Sequence, residues 1–276
     1  MESRTRTLTF GDDRSAGADA AWGWVAAHPW TGWAAEVVTV TIPKARSVAS
    51  PLGYTEPSRW TPPEPRAAPA SCEFASIAHL AADNDPRLIL GGRAGSDLVV
   101  VGPRGQGLLK ELHLGSTSEW LMRCPKAPLV IARRPARTRS VLMCVDGSTH
   151  AQAAVDFLAS MPWVAGTAVT VLGIVQWHDD LPVAVRRAAR ELAAVDAHAT
   201  AEVVEPDRLA LTVNPRLTIF EHMAARAPDL VVLGTSGRSA LKRLWVGSVA
   251  SAVARHAEGS VMLVRDLRGE DDDGDR

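Results

Sequence analysis

Short apolar blocks alternate with stretches of helical spacing along most of this chain. In the second half, residues 141–145 form an apolar block that ends in Asp146-Gly147-Ser148. Residues 151–160 follow with Ala154, Phe157 and Leu158 at helical spacing. A brief apolar run reads as a buried strand, and i, i+3, i+4 spacing reads as an amphipathic helix. The same logic predicts a strand over 168–175, a long helix from 182 to about 203 and a strand over 209–213. Asn214-Pro215 opens another helix with a cap residue followed by proline. A strand over 229–233, a helix over 247–256 and a last strand over 260–264 complete the half. Alternation of this kind predicts the α/β class, a parallel sheet with helices on both faces.

The first half repeats the order. An apolar start at residues 8–10 runs into Asp12-Asp13-Arg14-Ser15, with Asp13 opposite Asp146. Trp24, Pro29 and Trp30 fall opposite Phe157, Pro162 and Trp163 at the same displacement of 133 positions. Strands are expected over 37–42, with Ile42 opposite Ile174, over 97–101 and over 129–132. The two fifth strands, 129–132 and 261–264, are placed to pair edge to edge and cover a hydrophobic edge. One stretch breaks the symmetry. Residues 43–74 are rich in proline where the second copy has its long helix, and proline inside a helix costs about 3 kcal/mol. An irregular arm carrying Tyr54 and Trp60 is expected instead, either an excursion or a segment packed across a neighbouring half.

A chain of 276 residues, 46% hydrophobic, can fill two cores. The expected units are 1–134 and 139–268, two tandem five-stranded Rossmann-like domains forming a pseudo-dimer. The net charge of -1 argues against a nucleic-acid partner, and the acidic segment 269–276 reads as a solvated tail. Cys72, Cys124 and Cys144 lack CxxC spacing and read as reduced thiols. No apolar run approaches the roughly 18 residues of a membrane span, so the expected location is cytoplasmic, with no membrane partner.

The chemistry lies in a repeated loop. Gly102-Pro103-Arg104-Gly105 is followed by Gly115-Ser116, and Gly234-Thr235-Ser236-Gly237 by Gly247-Ser248, displaced by 132 positions. Such glycines let backbone N–H groups approach an anion. A glycine-serine pair opening a helix offers free N–H groups and a positive dipole end to phosphate. The bland alternative, tight turns and close helix–strand contact, weakens when the whole pattern occurs twice. Lys110 and Lys242 fall in matching places but read as solvated charges, and His178-Asp179-Asp180 reads as a polar loop before a magnesium site. Neither a Walker A sequence nor a Gly-x-Ser-x-Gly elbow is present, and the histidines lack metal-ligand spacing.

Aspartate at the end of the first strand, then G-x2-G-x9-G-S after the fourth, resembles the universal stress protein family in its tandem form. The resemblance implies an adenine-nucleotide hydrolase-like α/β fold that binds ATP, with or without Mg2+, and acts with an unnamed protein partner in stress regulation. It implies cofactor contacts at Asp146, Ile174, Gly234, Gly237, Gly247, Ser248 and Val249, and in the first copy at Asp13, Ile42, Gly102, Gly105, Gly115 and Ser116. The second site ranks as the better one, because Pro103 removes a donor that Thr235 keeps, Arg14 replaces Gly147 and a helical wall is missing. A slow ATP hydrolase or phosphotransferase, and a scaffold that binds no nucleotide, are the alternatives; enzymatic activity is the less favoured. An intrachain pseudo-dimer is expected, with a homodimer left open.

Overall fold

The computed structural model describes residues 4–41, 64–93, 95–105, 114–123, 126–175, 180–205, 214–236 and 246–267. Its first half runs β1 (Arg6–Asp12), α1 (Ala16–Ala26), β2 (Trp33–Thr41), a 3-10 turn (Ala70–Cys72), β3 (Ser76–Asp83), α2 (Pro86–Gly91), β4 (Leu98–Val101), α3 (Ser116–Arg123) and β5 (Leu129–Ile131). The second runs β6 (Ser140–Val145), α4 (Thr149–Ala159), β7 (Ala168–Ile174), α5 (Leu181–Ala193), β8 (His198–Val204), α6 (Pro215–Arg226), β9 (Leu230–Gly234), α7 (Ser248–His256) and β10 (Ser260–Val264).

All of these strands join one sheet in the order β3-β2-β1-β4-β5-β10-β9-β6-β7-β8. Each half has the same internal order, and pairing within each half is parallel. The halves meet where β5 and β10 pair antiparallel, Ile131 opposite Val261, Val130 opposite Met262 and Leu129 opposite Leu263. This is the edge-to-edge contact expected of the two fifth strands. The apolar runs of β4, β5, β9 and β10 are covered on both sheet faces, as parallel α/β sheets require. One core layer gathers Trp24, Trp30, Leu158, Trp163, Val185 and Leu192; the other gathers Val38, Leu90, Leu121, Ile219, Val253 and Leu263. Each layer draws on both halves, so burial follows the faces of the sheet.

The region of the expected long helix over 182–203 is different. Its helix stops at Ala193, a left-handed Asp196 (φ 60) turns the chain, and β8 pairs with β7 from His198↔Ala168 to Ile174↔Val204. The alanines carried helix propensity onward, while Ala199 and Val203 alternate as one face of an edge strand and pack on the first core layer. The expected strand over 209–213 lies outside the described residues. In the first half β3 occupies a stretch with no assigned element. The described part of the arm, 64–74, contains no α-helix, in keeping with its prolines. It packs on its own half: Trp22 Nε1 donates to the Ala67 carbonyl at 3.0 Å, and Phe74 stacks on Trp30. Tyr54 and Trp60 lie outside the described residues.

The linker between the halves is buried at Thr138. Its Oγ1 accepts from Trp24 Nε1 at 3.2 Å, and Trp24 and His28 contact Trp163 of the second half at ring separations of 5.9 and 4.8 Å.

Candidate functional site

In the second half β6 delivers Asp146 to the carboxyl edge of the sheet, exposed to solvent. Its Oδ1 accepts from the Ser148 N–H at 3.0 Å across Gly147, which takes φ 78. Ser148 then caps α4 by accepting from Ala151 N–H at 3.1 Å, a serine placement that satisfies a free helix donor. The Ser148 hydroxyl also reaches the Ser236 carbonyl at 3.5 Å, tying this turn to the loop after β9. On the far side of that loop the Gly247 N–H donates to the Thr235 carbonyl at 2.7 Å. The turn carrying Asp146 and the entry to α7 at Gly247 are thereby both tied to the segment that follows β9. Gly247 is the N-cap of α7 and supplies no capping side chain, while Ser248 is exposed in its first turn. Ile174 closes β7, half-buried against the second core layer.

The first half reproduces this frame. Asp13 Oδ1 accepts from Ser15 N–H at 3.1 Å, Ser15 caps α1, and its hydroxyl donates to Arg104 O at 3.2 Å. Gly115 N–H donates to Pro103 O at 2.8 Å, and Ser116 opens α3 exposed to solvent. Gly105 lies against the aspartate: a Cβ there would come within 2.1 Å of Asp13 Oδ2. Ile42 and Gly237 lie outside the described residues, as do Lys110, Lys242, His178 and Asp179. Among the described residues no group of three His, Cys, Asp or Glu side chains could hold a metal ion.

Two details differ from the sequence argument. Gly102 and Gly234 do not face an open crevice. A Cβ on Gly234 would meet the His150 carbonyl carbon at 2.7 Å and Ala151 N at 2.8 Å, and one on Gly102 would meet Gly17 C at 2.5 Å. Their lack of a side chain lets the strand end approach the first turn of α4 or α1. The comparison of Pro103 with Thr235 also changes, because the Thr235 N–H is already used, donating to Val264 O at 2.9 Å. The donor that proline removes belongs to the sheet, so it does not rank the two copies.

The asymmetry lies in two residues that sequence reasoning left without a role, Asp12 and Arg66. Asp12, buried at the end of β1, is bonded twice by the Arg66 guanidinium at 2.7 Å. Overlaying the copies carries a signal for it, since Asp12 falls opposite Val145 inside an apolar block. Nothing local singled out Arg66, which comes from the arm.

The universal stress protein family model matches residues 137–265. A universal stress protein of Mycolicibacterium smegmatis is 28% identical over 65% of this chain and 65% of its own length. One from Synechocystis is 25% identical over 61% of this chain and 58% of its own length. The chain thus matches less than two thirds of the length of these two curated relatives. Among solved structures, a universal stress protein from Archaeoglobus fulgidus superposes with a TM-score of 0.64 at 15% identity, covering 95% of this chain and 99% of that one. That likeness extends the shared fold across both halves. Residues 137–265 are thus the part of the chain that is similar to the universal stress protein family.

Proposed function

We propose that the chain binds an adenine nucleotide, ATP in the first instance, in the second-half crevice at the carboxyl ends of β6, β7 and β9. In this reading it is a cytoplasmic stress-response regulator that reports nucleotide occupancy to a protein partner, with 1–134 and 139–268 as its repeated units. The observation that carries the proposal is the entry to α7. Side chains of Ser15, Ser148 and Asn214 cap α1, α4 and α6, but Gly247 caps α7 with none. First-turn N–H groups at a glycine cap suit an anionic oxygen, and the helix dipole favours it there.

The roles then follow from position. Backbone N–H groups of Ser248 and Val249, with the Ser248 hydroxyl, would hold phosphate. Asp146, exposed on the facing turn, would accept from a ribose hydroxyl or the adenine amino group. Backbone groups at Ile174 would border the base. Gly234 acts behind the site by seating α4, and Gly237 stands between β9 and α7 in the sequence. Magnesium is left to the phosphates, and no turnover is part of the proposal.

Calorimetric titration of ATP tests it. Gly247→Val places a branched side chain at the α7 entry, and Asp146→Ala removes the acceptor. Loss of one charge-assisted hydrogen bond is worth about 1.5–3 kcal/mol, roughly 10- to 150-fold in Kd. Each variant should weaken ATP by at least that much while melting near the unaltered protein. ATP affinity that survives both changes rejects the site.

A further inference from the structure

The carboxyl end of β1 is crossed by the arm. The Asp12 side chain has no solvent exposure, and Arg66 holds it through Nε to Oδ2 and Nη2 to Oδ1, both at 2.7 Å. The same guanidinium reaches Asp19 in the first turn of α1 at 2.8 Å and lies 5.9 Å from the centroid of the Phe10 ring. Arg14 closes the other side of Asp12, its Nε 2.9 Å from Oδ2, and donates to the Glu64 carbonyl of the arm. The matching positions in the second half are Val145 for Asp12, Gly147 for Arg14 and Gln152 for Asp19. There Gln152 bonds to Glu191 of α5 at 2.8 Å.

We propose that the Arg66–Asp12 clamp closes the first copy to nucleotide, so that the chain takes up one nucleotide, in its second half. The inference rests on the nucleotide reading above. Arg66 bridges from the end of β1 to the first turn of α1, on either side of the turn that carries Asp13. In this proposal a ligand entering beside the Asp13 turn would have to part the buried ion pair, and a carboxylate left behind without its partner would weaken such a ligand by roughly 100-fold or more. Two arginines against Asp12 and Asp19 also leave the cluster neutral, with no surplus positive charge to attract phosphate. The first copy keeps the glycine frame and spends its ligand end on fastening the arm.

Calorimetric titration of the full chain with ATP is expected to give one site. The double variant Asp12→Val with Arg66→Ala copies the apolar end of β6, and exchange of a buried ion pair for apolar groups is often tolerated. It is expected to bind two ATP molecules, and to keep one when Gly247→Val is added. In the unaltered background Gly247→Val should leave none. Should the double variant fail to fold, Asp12→Asn with Arg66→Gln removes the charges at similar shape and is judged in the same way. A single site in the opened variant, or a second site in the unaltered chain, overturns the clamp while the nucleotide reading stands. Absence of any ATP binding to the unaltered chain overturns both.

Discussion

His28 joins the two halves at the scale of a single side chain. Its Nδ1–H donates to the Trp24 carbonyl at 2.7 Å, and its Nε2 accepts the Thr138 N–H at 2.9 Å. These partners require the neutral ring, and a proton on Nε2 would set a donor against a donor. Burial lowers its pKa from the ordinary 6.5 to about 4. Between those values the unfolded chain binds a proton that the folded chain refuses, so stability falls as pH drops through this window. The full loss is about 3 kcal/mol. Urea melts across the window should show that slope, and His28→Gln should flatten it; equal slopes would clear His28 of the role. Gly234 gives a second residue-scale prediction. Gly234→Ala drives a methyl into the backbone of α4 and should cost about 1–3 kcal/mol in the same melts. The repeated glycines were legible in the sequence, but the direction in which each Cβ would point was not.

Among the elements, α3 and α7 are the helices that the glycine-serine pairs open, and an ion pair joins them. Arg255 Nη2 of α7 lies 2.5 Å from Glu119 Oε1 of α3, and Arg123 reaches the same oxygen at 2.9 Å. The side chains are partly exposed, so a double-mutant cycle of Glu119→Gln and Arg255→Gln should show a coupling of about 0.5–1 kcal/mol in thermal melts. A coupling of zero would mean that the helices are held by packing alone. Element types were legible wherever a period was clean, as in β6, α4 and β10. They were misread at β8, where an alanine-rich stretch has the composition of a helix and the pairing of a strand. Turn chemistry at Asp196 and the open edge of β7 decided that case.

For the whole molecule the seam between β5 and β10 matters most. Val130 and Met262 face each other there with no exposure, on the face where Trp24 and Trp163 pack across the halves. Met262→Asp would bury a carboxylate without a partner, a change costing several kcal/mol. Because both core layers span the seam, the loss should reach both halves together. Far-UV circular dichroism and tryptophan fluorescence should then move to lower denaturant as one transition. Fluorescence that outlasts the dichroism would mean that the Trp24–Trp30 side folds by itself.

The sequence by itself determined the repeated strand–helix order, the two glycine frames, the pairing of the fifth strands and the absence of an α-helix along the described part of the arm, 64–74. These rest on local periodicity, on backbone permission at glycine and at the prolines of the described arm, and on comparing one copy with the other. Only the tertiary structure decided what the copies do with the same frame. It turned Gly102 and Gly234 toward helix backbones, engaged the Thr235 N–H in the sheet, and brought Arg66 across 54 positions of chain onto Asp12. A contact between residues so far apart has no periodicity to announce it; it forms because a buried carboxylate must find a cation, and the arm carries one past it.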